Sequence, residues 1–167
     1  PSKFVVKFIP LKHLNVSTCK FGPKGFIALL ESIVRLTTLE TLDVSHNNIG
    51  PRPSYMTAAA DDGIGEGSDD ETVDSEDAKV DKMDIAGELV KKMFGLRELK
   101  MNNCRLYVAG GRAIMKALCD TEPETCGASL KVLLLSGNEM YNGIAPIVLQ
   151  LLGSNYNLEM LDLGFNK

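Results

Sequence analysis

One pattern recurs five times along this chain and limits its fold more than any other feature. It reads leucine, two variable residues, leucine, one variable residue, an apolar residue, two variable residues, and then asparagine or cysteine. The five copies, which we call frames 1 to 5, occupy residues 11–19, 39–47, 96–104, 130–138 and 158–166. A pattern repeated in this way predicts a repeat architecture, in which each copy buries its apolar side against its neighbours.

The apolar residues at the fourth and sixth positions of each frame predict a short strand. Side chains alternate between the two faces of a strand, so these two point inwards while the fifth residue points outwards. The predicted strands lie near 14–16, 42–44, 99–101, 133–135 and 161–163. The ninth residue is predicted to be structural, because its side chain can satisfy backbone groups where the chain leaves the strand. The five ninth residues are Cys19, Asn47, Cys104, Asn138 and Asn166.

The spacing of the frames predicts helices between the strands. The first leucines of successive frames are 28, 57, 34 and 28 residues apart, and the extra residues of the third interval are expected to form a loop at 121–129. A period of 28 leaves room for a helix, and amphipathic segments at 25–36, 85–94, 110–118 and 143–152 supply one. The frame matches the leucine-rich repeat signature. The repeat period of 28 residues is typical of the ribonuclease-inhibitor-like class. The predicted fold is therefore an α/β curved solenoid with parallel inner strands and outer helices.

Two features modify this solenoid. The interval of 57 residues predicts an acidic, flexible insertion at 50–81 within the second repeat, since residues 61–77 hold nine acids, no base and few large apolar groups. The acids do not follow the pattern of a calcium-binding loop. Outside residues 61–77 the chain carries 18 basic and 13 acidic side chains. Both ends resemble cut repeats, so residues 1–167 are expected to form a partial domain of a longer array.

Motifs for catalysis are missing from the sequence. It contains no nucleophile elbow, phosphate-binding loop or zinc-peptidase motif. His13 and His46 are expected on outward strand positions, one unit apart. They are interpreted as surface residues, because their neighbours form a poor set of metal ligands. We therefore predict no cofactor, no metal site and no self-contained active site. Without an apolar run of ~20 residues, no membrane segment is expected, and four cysteines without paired spacing predict reduced thiols in the cytoplasm.

The outward residues of the predicted strands form the candidate binding surface. Their charges are mixed, which favours a protein partner over a nucleic acid, whose backbone attracts one sign of charge. A merely soluble concave face remains the alternative at this stage. The predicted partner-binding residues are Lys12, His13, Asn15, Glu40, Asp43, Arg97, Glu98, Lys100, Asn102, Lys131 and Asp162.

Frames 3 to 5 resemble the later repeats of Ran GTPase-activating proteins, with residues 21–25 and 39–43 fitting the units before them. In that family the repeats bind a Ran-type GTPase and supply an arginine that completes GTP hydrolysis. The resemblance implies such a partner and such a role for this chain. A protein scaffold, cytoskeletal or for complex assembly, with no GTPase role is the alternative.

The resemblance also implies where an arginine of this kind would lie. The family's arginine follows the consensus Asn of an early repeat by eight residues, and Arg112 follows Cys104 by eight. Arg112 is therefore the catalytic candidate in this sequence. Its repeat resembles a late one, however, so the catalytic arginine is expected outside the sequence. The acidic stretch interrupts the repeats here, whereas in the family it follows them.

Overall fold

The computed structural model describes residues 10–51 and 82–167. Almost all of the predicted acidic insertion at 50–81 therefore lies outside the described residues, as does the segment 1–9. We call the stretch that begins with each frame and runs to the next frame a unit, and we count positions from its first leucine.

The five frames form one parallel sheet. Each strand pairs with the next in the order β1-β2-β3-β4-β5. The register aligns the fourth frame residues, from Leu14 on β1 to Leu161 on β5. The strands are β1 (His13–Asn15), β2 (Thr41–Asp43), β3 (Glu98–Lys100), β4 (Val132–Leu134) and β5 (Met160–Asp162).

Each strand lies one residue earlier than the predicted span. The third frame residue already pairs with the neighbouring strand, as His13 does with Thr41. The sixth residue still donates its N–H to the neighbouring unit, as Val16 does to the Asp43 carbonyl oxygen at 2.8 Å. At this point, however, the chain begins to turn away from the sheet. The prediction rested on inward side chains alone, and these do not mark where the backbone ladder starts.

Helices connect the strands, as a parallel sheet requires. They are α1 (Pro23–Ile33), α2 (Lys82–Lys91), α3 (Tyr107–Leu118), α4 (Cys126–Ser129) and α5 (Ala145–Ser154), the last preceded by a 3₁₀ turn (Tyr141–Ile144). The helix predicted at 25–36 begins earlier, because the fixed φ of Pro23 suits a first helical turn. The extra residues of unit 3, expected as a loop, include the short helix α4.

The core lies between the sheet and the helices. The fourth and sixth residues of frames 2 to 4 are completely buried there, and α1, α3 and α5 add residues such as Phe26, Ile114 and Leu151. The opposite side of the sheet has no helix layer in the described part of the chain. We call this side, formed by the third and fifth residues of each frame, the open sheet face.

The ninth frame residues fasten neighbouring units together. Asn138 Nδ2 donates to the carbonyl oxygens of Met101 at 2.7 Å and Leu135 at 2.8 Å. Cys104 takes the same place in unit 3, where its Sγ donates to the Val44 carbonyl oxygen at 3.3 Å. Burial raises the pKa of the Cys104 thiol to about 11, which keeps the donor proton in place. Cys19 departs from this pattern, because its side chain is exposed.

Candidate functional site

The register of the sheet arranges the open sheet face into two rows. Each row runs across all five strands, because equivalent frame positions are paired side by side. The third-position row is His13, Thr41, Glu98, Val132 and Met160, and the fifth-position row is Asn15, Asp43, Lys100, Leu134 and Asp162. A partner bound to this face would contact side chains from several units at once.

The face is polar on the side of β1 and β2. His13 Nδ1 lies 3.1 Å from Thr41 Oγ1. The side chains of Asn15 and Asp43 accept hydrogen bonds from backbone N–H groups two residues further on, at 2.9 and 3.0 Å. These two side chains therefore help to shape the turn after each strand as well as lining the face.

Two more predicted binding residues have structural contacts of the same kind. Asp162 accepts a hydrogen bond from the Gly164 N–H at 2.8 Å. The half-buried Asn102 accepts one from the Ser136 N–H at 2.9 Å, which joins units 3 and 4. Both side chains remain at the surface, although neither is free of a partner within the fold.

A row of charged second-position residues borders the open sheet face. Lys12 pairs with Glu40 at 2.8 Å and Lys131 with Glu159 at 2.9 Å. The hydrogen bond from Lys12 and its charge lower the pKa of Glu40, which favours the ionised form of this carboxylate. Arg97 stands between the two pairs and is exposed. Within the described residues Arg97 forms no ion pair, so its guanidinium is available to a partner.

Apolar residues on β4 and β5 form a patch that the predicted binding set missed. Val132 and Leu134 are half-buried, and Met160 is 52% exposed. We call these three residues the apolar patch. The signal was present in the sequence, because strand alternation turns Val132 and Leu134 outwards from a run that is apolar at every position. The predicted binding set consists of charged and polar side chains, so it did not include these residues.

The two histidines do not occupy matching places. His13 lies at the third position of its frame, on β1, whereas His46 follows β2 at the eighth position, with a φ of 59°. The expectation that both lie on outward strand positions, one unit apart, is wrong. Residues 10–51 and 82–167 contain no group of three or more His, Cys, Asp or Glu side chains arranged to hold a metal ion. In those same ranges, no helix has the length and apolar character needed to cross a membrane.

Arg112 lies far from the open sheet face. It is exposed in the middle of α3, on the helical side of the sheet. The apolar patch and Arg112 therefore face opposite sides of the described structure. A partner that touched both would have to extend around an edge of the sheet.

Comparisons with known proteins agree with this architecture. A family model described as Leucine Rich repeat matches residues 9–30 and 35–52, which contain frames 1 and 2. A search of curated proteins found no match. Such repeats typically bind other proteins, which suggests a protein-interaction module. Together, the matched repeats and the parallel sheet with its helices support a leucine-rich repeat protein with an α/β fold.

Proposed function

We propose that this chain is part of a protein-binding solenoid that engages its partner through the open sheet face. The apolar patch carries the proposal, because three large apolar side chains lie together on a face that is otherwise polar. An apolar centre with a polar rim is the usual anatomy of a protein interface. The charged second-position row would supply part of that rim.

The side chains of the open sheet face indicate what kind of partner surface would fit it. Full burial of an aliphatic side chain contributes roughly 1.5–3 kcal/mol, and these three are already partly covered, so each would add about 1 kcal/mol. Arg97 next to them offers a charged donor to a carboxylate. The fitting partner therefore presents an apolar projection with an acidic group beside it.

A Ran-type small GTPase is the most specific partner that we propose, with GTPase activation as the role. The resemblance of frames 3 to 5 to Ran GTPase-activating proteins supports this choice. We also propose a cytoplasmic setting, which such a partner requires, on the basis of the unpaired spacing of the four cysteines in the sequence. Because Arg112 and the apolar patch face opposite sides, a GTPase held by the patch would not use Arg112 in catalysis.

A binding experiment tests the use of the face. Val132→Lys with Leu134→Lys should weaken binding of a Ran-type GTPase, loaded with a non-hydrolysable GTP analogue, by at least tenfold, or about 1.4 kcal/mol. Isothermal titration calorimetry measures the Kd. Ile85→Lys is the matched control, since Ile85 is 38% exposed on α2, away from the face, and should bind like the wild type. Equal loss in both variants would contradict a role for the open sheet face.

A hydrolysis assay separates activation from simple binding. We expect Arg112→Ala to leave any stimulation of GTP hydrolysis unchanged, and a large loss would instead make Arg112 the catalytic arginine. If the chain neither binds the GTPase nor stimulates hydrolysis, the GTPase proposal fails and the scaffold alternative takes its place.

A further inference from the structure

We draw no further inference here: the strongest candidate, the groove between α2 and α3 that is lined by the buried Gly87, Ala113 and Ala117 and by the exposed Asp84, Glu88 and Lys116, is a stripe of small residues beside solvated charges, and nothing in the described part of the chain shows what would occupy it.

Discussion

At the residue scale, the ninth frame position shows how one requirement is met by different side chains. Asn138 uses both ends of its amide: Nδ2 donates to the Met101 carbonyl, and Oδ1 accepts from the Cys104 N–H at 2.8 Å. Asn47 uses only one end. Its Nδ2 donates to the Val16 carbonyl oxygen at 3.0 Å, while its buried Oδ1 has no partner in the described part of the chain.

This difference predicts unequal tolerance of cysteine at the two positions. Asn47→Cys should change the free energy of unfolding by about 1 kcal/mol, since one S–H can replace one of the two N–H donations, to Val16 or Val44, and no paired acceptor is lost. Asn138→Cys should cost about 2–3 kcal/mol, because it leaves the buried N–H of Cys104 unpaired. Urea denaturation measures both values. Equal losses would contradict the assignment of separate donor and acceptor roles.

At the element scale, close approach of helices sets the spacing of the units. α2 and α3 pack together at Gly87, where an added Cβ would lie 2.8 Å from the Ala113 carbonyl oxygen. That oxygen belongs to the backbone and cannot rotate away. The glycine is therefore needed for its small size, although glycine lowers the intrinsic stability of a helix.

Two matched glycine substitutions test this interpretation. Gly87→Ala should destabilise the fold by about 1–3 kcal/mol, because the methyl group forces the helices apart. Gly153→Ala in α5 should stabilise it by up to about 1 kcal/mol, since no atom lies within 4 Å of its added Cβ. The melting temperature of each variant gives the sign. A stabilised Gly87→Ala variant would show that α2 and α3 have room to spare.

At the scale of the whole molecule, each unit depends on a neighbour on both sides. Each described strand pairs only with the strands next to it in order. Leu99 on β3 is completely buried, whereas the equivalent Leu161 on the edge strand β5 is only half-buried. Burial of the same side chain therefore depends on its place in the stack.

Alanine substitutions at these two leucines should reflect that place. Leu99→Ala should cost about 3–5 kcal/mol, as expected for a cavity in a closed core. Leu161→Ala should cost about 1–2 kcal/mol, because water already reaches part of the side chain and less apolar area is lost. Chemical denaturation of both variants provides the comparison. Similar losses would mean that the β5 edge is covered in solution.

The sequence by itself determined the order of the strands and which residues point inwards. A strand has a period of two residues, and the frame repeats that period five times, so local spacing was sufficient to predict that Leu42, Leu99 and Leu133 enter the core. It also predicted Asn138 as a structural residue. The starts of the strands were one residue off, because they depend on hydrogen bonds to a neighbouring strand.

Only the tertiary structure decided how equivalent positions differ from one another. Asn47 and Asn138 occupy the same position of the frame, as do Cys19 and Cys104. Their hydrogen bonds nevertheless differ, because they depend on which unit lies beside them. For the same reason, the different burial of Leu99 and Leu161 became apparent only in the assembled sheet. A repeated pattern specifies which side chains of a unit can enter the core. The contacts between adjacent units determine which of those side chains remain exposed.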